Sequence, residues 1–183
     1  MGWILLGVVA ALVFVAISLY NRLVRLKNGS ESAWSDIDVQ LKRRWELIPN
    51  LVETVKGYAR HEQATFEKVT AARSQAMQAK TPAEHGAAEA NLSGVLRSLF
   101  AIAEAYPELR ANENFLGLQR ELSGLEEAIQ NARRYYNAIV RDLNTAIESF
   151  PANLLAGPLG FTKREYFELD STAERAAPKV SFS

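Results

Sequence analysis

His61-Glu62 is the pair in this chain whose residue types come nearest to chemistry. A helical zinc-protease motif needs a second His four residues after the first, so that both imidazoles share one helical face around the metal. Position 65 is Thr65, and the metal reading fails. An imidazole beside a carboxylate also suits a phosphoacceptor, so a histidine phosphotransfer module acting through His61 stands as the alternative function. The Gly-rich ATP-binding region of a kinase is missing, and the residues after His61 are Glu-Gln-Ala-Thr-Phe. A lone His without a partnering constellation is read as solvated or structural. His85, in an Ala-Glu-His-Gly stretch read as a connection, carries less still.

Two polar groupings remain. Asp36, Asp38, Gln40, Arg133, Arg134, Asn137 and Arg141 could meet along a helix seam, with Asn137 partly buried and helping to fix register. The plainer expectation is surface ion pairs, each contributing about 0 to 1 kcal/mol. Lys42-Arg43-Arg44 has the composition of a lipid-binding patch. An upright helix would carry it about 33 Å beyond Tyr20, several times the roughly 8 Å screening length, and it is read as a solvated face. With no Ser/His/Asp set, carboxylate pair or phosphate-cradling Gly loop, no catalytic, cofactor-binding or metal-binding residue is expected, and the protein is read as a non-enzyme.

The elements that would position these residues begin with a span. Met1 to Asn21 holds no charged side chain, and Trp3 to Tyr20 covers roughly 27 Å as a helix, near the thickness of a hydrocarbon core. Trp3 and Tyr20 suit the two interfaces. A cleaved signal peptide would have a basic start and a shorter apolar run, so an uncleaved anchor in the lipid bilayer is expected. Arg22, Arg25 and Lys27 follow directly, which places the bulk in the cytoplasm under a single-pass anchor. Lys plus Arg and Asp plus Glu both total 21, so no global field draws in nucleic acid. The absence of cysteine excludes disulfides, thiolate zinc sites and cysteine nucleophiles.

Beyond the span the pattern is helical throughout. Trp34, Ile37, Leu41, Trp45, Ile48, Val52, Val55 and Ala59 recur in steps of three or four, and Phe66, Val69, Ala72 and Ala76 continue them. The spacing predicts one long helix to Thr81-Pro82 that bends at Pro49 and continues, with two helices meeting at Pro49 as the alternative and Asn28-Gly29-Ser30 as the weak point between span and helix. A second helix should start near Pro82 with a stripe of Ala88, Leu92, Val95, Leu99, Ile102 and Tyr106, and stop or kink at Pro107. The third runs from Phe115 through Leu122, Ile129, Tyr136 and Leu143 to Phe150 in heptad steps, the spacing of helices packed at a shallow angle. The tail is expected to be irregular, with at most a short helix over Lys163 to Leu169. The predicted fold is all-α: a transmembrane anchor at 1–21, a juxtamembrane connection at 22–30, an antiparallel bundle of long helices over 31–150 and a mostly irregular tail at 151–183.

Particular residues then become specific. Trp34-Ser35, Ile37 to Arg44, Leu47-Ile48-Pro49-Asn50-Leu51-Val52, Val55-Lys56-Gly57-Tyr58 and His61-Glu62 strongly resemble the signature of the bacterial LemA family. Ala132 to Asn137, Phe150-Pro151, Gly160-Phe161, Tyr166-Phe167 and Pro178 to Phe182 look like its later blocks. The resemblance implies an N-terminal anchor and a helical domain, and one branch of the family is associated with magnetosome membranes. It implies no agreed activity. The expected function is therefore a membrane-anchored helical scaffold or interaction protein with a protein partner that the sequence does not name. Self-association is expected from Gly7 and Ala11, one turn apart in the span, and from the apolar Asn153 to Leu159 stretch.

Overall fold

A computed structural model describes residues 1–168 of the chain. Leu169 and the Pro178 to Phe182 block lie outside the described residues. The elements are α1 (Gly2–Lys56), α2 (Gln63–Gln78), α3 (Pro82–Ala105), α4 (Pro107–Arg110), α5 (Glu113–Glu148) and α6 (Asn153–Ala156), with no strand among the described residues.

α1 is a single helix of 55 residues. The juxtamembrane residues 22–30, read as a connection, are helical. Ser30 is fully buried, and its hydroxyl donates to the Lys27 carbonyl at 2.7 Å, which satisfies a polar side chain inside the helix. The helix also continues through Pro49, whose ring lies exposed. It does not continue to Thr81. The chain leaves the helix at Gly57, turns through residues 57–62 and starts again as α2. Glycine is about 1 kcal/mol worse than alanine in a helix interior, so Gly57 is the weakest place to continue. The periodic reading missed the break because Ala59, Phe66 and Val69 on its far side are all still buried.

α3 opens with a capping box. Thr81 accepts the Glu84 N–H on its hydroxyl at 3.2 Å, and the Glu84 carboxylate accepts the N–H groups of Lys80 and Thr81. Those two backbone donors hold the exposed Glu84 carboxyl below its usual value. His85, read as part of a connection, is thus in the first turn of α3 and buried. The buried stripe runs Ala88, Leu92, Leu96, Leu99 and Ala103, so Leu96 and Ala103 take the places expected for Val95 and Ile102. Steps of four dominate that stripe, the ridge spacing of closely packed helices.

The chain divides into two compact units. Unit 1 comprises Met1–Gln40 with Ala128–Tyr166. In it, Leu23 packs with Leu143 and Ala146, Gly29 faces Ile139, and the Trp34 and Tyr136 rings lie 5.4 Å apart. Ascending numbers on α1 meet descending numbers on α5, so the pairing is antiparallel. Ala156 of α6 and Phe161 close the cluster around Leu23. No side chain between Trp3 and Tyr20 is buried, and α1 is long and apolar enough there to cross a membrane. Phe150, expected to end the α5 stripe, is 79% exposed.

The short helix expected from Lys163 does not form over the described residues 163–168. Asn144 holds Arg164 with both arms of its amide, donating to the Arg164 carbonyl and accepting its N–H, each at 2.9 Å. The Tyr136 hydroxyl donates to the Glu165 carbonyl at 2.9 Å. Backbone groups engaged by α5 side chains are not available for a helical ladder.

Unit 2 comprises Leu41–Glu127 together with Phe167 and Glu168. α2 and α3 form a hairpin, with Gln75 accepting from Asn91 across it at 3.3 Å. Phe167 is 1% exposed, and the adjoining backbone lies against α3 so closely that a Cβ on Gly86 would stand 1.8 Å from the Glu168 carbonyl oxygen.

Candidate functional site

The most polar interior of the molecule is in unit 2, around Arg44. Reading Lys42-Arg43-Arg44 as a solvated face holds for Lys42 and Arg43, which are exposed, and fails for Arg44, which is 4% exposed. Its guanidinium donates to Glu89 at 3.0 Å and to the Ser93 hydroxyl at 2.8 Å, and pairs with Glu126 at 3.1 Å. α1 supplies Arg44, α3 supplies Glu89 and Ser93, and α5 supplies Glu126. A buried arginine persists in this way because its planar fork of donors can be matched by several acceptors at once.

Glu89 is 2% exposed and receives a second donor, the Trp45 indole N–H at 2.7 Å. Burial pushes its carboxyl above the usual carboxylate value, and Arg44 and the Trp45 N–H offset this only in part. The His85 imidazole stacks on the Trp45 ring, with centroids 6.1 Å apart and planes 13° from parallel.

Trp45 also explains how α1 tolerates Pro49. A proline lacks the N–H that would donate to the carbonyl four residues earlier, and that carbonyl belongs to Trp45. The Arg73 side chain of α2 supplies the missing donor at 2.6 Å.

A cavity of about 370 Å³ opens beside the network, lined by Arg44, Ser93, Leu96, Arg97, Phe100, Gln119, Leu122, Ser123 and Glu126. Its lining includes two serines and the Glu126 carboxylate, which pairs with Arg44, and no imidazole. A second cavity, of about 640 Å³, lies by the break after α1 and is lined by Lys56, Arg60, Gln63, Phe66, Glu67, Thr70, Ala71 and Ser74. His61 is exposed in that turn and lines neither cavity. Among the described residues, no group of three or more His, Asp or Glu side chains is placed to hold a metal.

The polar set read from the sequence is distributed differently. Arg134 donates to Asn131, and Arg141 pairs with its neighbour Asp142 at 3.5 Å, both on the surface. Asp36 is exposed, while Asp38, Gln40, Arg133 and Asn137 are partly buried. The network that the structure does build was missed because Arg44 and Glu89 are 45 residues apart and no local pattern joins them. The available signal was Glu89 itself, a charged residue one step from Ala88 on the apolar face of α3.

Residues 33–182 match the LemA family. The chain is 30% identical over 150 residues to Protein LemA of Metamycoplasma hominis, covering 80% of this chain and 67% of that one. It is 24% identical over 191 residues to Magnetosome protein MamQ 2 of Paramagnetospirillum magneticum, covering 89% and 70%. To Magnetosome protein MamQ of Magnetospirillum gryphiswaldense it is 26% identical over 174 residues, covering 81% and 64%.

Proposed function

The chain belongs to the LemA family, and from that premise we propose that it is a non-enzymatic scaffold, held in the bacterial inner membrane by a single span with its bulk in the cytoplasm. The observation that carries this reading is α1, which passes without interruption from a bilayer-length apolar segment into packed helix. Nucleophilic group transfer would need a nucleophile beside a base at a cleft. The best-built polar site instead ties a buried arginine to two carboxylates and a hydroxyl, which fixes the relative positions of α1, α3 and α5 in unit 2.

The orientation rests on Arg22, Arg25 and Lys27, all exposed directly after the span. Self-association within the bilayer is part of the proposal: beyond the neighbouring turns of α1, nothing among the described residues lies within 4 Å of a Cβ placed on Gly7, which leaves room for a second helix. The chain has no cysteine, which permits a direct test. Tyr135→Cys, 60% exposed in the parent residue, should react with a membrane-impermeant thiol reagent in inverted vesicles and not in intact spheroplasts. The opposite pattern refutes the orientation. Crosslinking in native membranes should capture a protein partner, and turnover of a small molecule by the purified chain would overturn the scaffold reading. Light scattering corrected for detergent reads the self-association, which a monomer mass at all concentrations refutes.

A further inference from the structure

Between Glu148 and Lys163, which pair with each other at 2.6 Å, the chain runs for residues 149–162 without one charged side chain. This segment sends three large apolar side chains outward: Phe150 is 79% exposed, Leu154 64% and Leu159 47%. Its other face is anchored. Ala152, just before α6, and Ala156, one turn on, are buried, and Ala156 and Phe161 pack on Leu23 of α1. The Phe161 ring meets Tyr20 edge-on at 5.9 Å.

The height of this loop along α1 follows from the antiparallel register in unit 1. Ile139 faces Gly29, and Leu143 and Ala146 pack at Leu23. Carrying that register on to Phe150 sets it about level with Ile17 to Tyr20, the last residues of the span, at about 1.5 Å per residue. Arg22, Arg25 and Lys27, all exposed, stand just beyond. We propose that the uncharged loop after α5 inserts Phe150, Leu154 and Leu159 into the interfacial layer of the same bilayer that α1 enters.

The inference rests on the span assigned above. A bilayer in which Tyr20 is at the interface places the loop at the headgroup boundary, where exposed Phe and Leu lose contact with water and an uncharged backbone segment is tolerated. The three basic residues attract anionic headgroups to the same level. The protein then touches the membrane twice, through α1 and through residues 150–159, and unit 1 is seated on the surface instead of standing clear of it.

The full-length chain, free of native cysteine, carries the test. Single variants Leu12→Cys, Leu154→Cys and Tyr135→Cys are labelled with an environment-sensitive fluorophore and reconstituted in vesicles of equal parts phosphatidylcholine and phosphatidylglycerol, with and without brominated acyl chains. Leu12 reports the span; Tyr135 lies about 22 Å from Phe150 along α5 and reports the aqueous side. The label at 154 should be quenched by brominated lipid at least about half as much as at 12, in keeping with an insertion of about 5–10 Å, and should resist aqueous iodide. Quenching at 12 with iodide access at 154 equal to that at 135 overturns the loop and leaves the span standing. No lipid quenching at 12 overturns the span and the loop with it. Protection of 154 from both quenchers, with self-quenching between labels, assigns the surface to a second copy and also overturns the proposal.

Discussion

Replacing Arg44 with Met strands a carboxyl that the fold has taken out of water. Glu89 is 2% exposed and would keep one donor, the Trp45 N–H at 2.7 Å. Glu126 is less affected, because its side chain is 37% exposed and can be hydrated. Breaking a buried pair by removing one partner costs about 3–5 kcal/mol, and the lower end is expected here because Glu89 can take up a proton, the direction in which burial already pushes it. At about 2–4 °C per kcal/mol for a chain of this size, the Arg44→Met melting temperature should fall by about 6–12 °C. The companion substitution makes the test sharp. Glu89→Gln should gain little in the parent, where Arg44 offsets part of the burial of the carboxylate, and should restore more stability in the Arg44→Met background, since the neutral amide still accepts the indole N–H. The size of one substitution's effect depends on the identity of residue 44. Far-ultraviolet circular dichroism melts of the four full-length proteins in detergent read the cycle. A cost for Arg44→Met below about 1 kcal/mol, the scale of an exposed pair, or simple additivity of the two changes would refute the buried-network account. The pH dependence has a definite direction too. The folded carboxyl of Glu89 is raised above its ordinary value of 4.5, so its contribution to stability is full below 4.5 and is lost as pH rises through the folded value. Glu89→Gln lacks that loss, so the parent should gain stability relative to the variant on acidification, and a difference that does not change with pH would place the slope elsewhere.

Three other perturbations test separate joints of the fold. Arg73→Met should cost about 1–3 kcal/mol, because it leaves the Trp45 carbonyl without a donor, and Pro49→Ala should rescue much of it by supplying an N–H within α1; denaturant titration of the pair would show no rescue if the carbonyl is hydrated instead. Asn144→Ala releases the Arg164 N–H and carbonyl together and should make the Lys163-Arg164 region sensitive to trypsin under native conditions, while unchanged cleavage would mean that the clamp is not what holds the tail. Gly86→Ala places a methyl 1.8 Å from the Glu168 carbonyl and should cost about 1–3 kcal/mol by overpacking, a shift that a calorimetric melt detects and that a neutral result excludes.

The legible part of this molecule was its periodic part. Apolar steps of three and four located α3 and α5 to within a few residues, and Pro82 marked a helix start because proline suits the first helical position. What escaped depends on residues far apart in the chain. The same periodicity ran straight across residues 57–62, since a turn whose ends both feed one core leaves the apolar rhythm intact. Arg44 looked solvated beside Lys42 and Arg43, and only α3 and α5 reveal its partners. Pro49 was read correctly as tolerated within α1, but the donor that makes it so, Arg73, lies 28 residues away. Lys163 to Glu168 has helix-forming residues, and Asn144 and Tyr136 take its backbone instead.

The unbroken α1 has a consequence that concerns angle more than distance. At 3.6 residues per turn, each residue between Tyr20 and the buried Leu23 sets an azimuth of about 100°. Leu19 and Ala16 precede Leu23 by one and two turns, and they are the two residues of the span that the rest of the chain partly covers. Gly7 and Ala11 fall about 160° and 120° around the axis from Leu23 by the same count. With no swivel in residues 21–30, the side on which a second helix could approach Gly7 in the bilayer is dictated by how Leu23 packs outside it. Inserting one residue after Tyr20 would turn that face by about 100° while leaving the packing from Leu23 onward in place, so the count of residues at the membrane exit behaves as a dial for orientation.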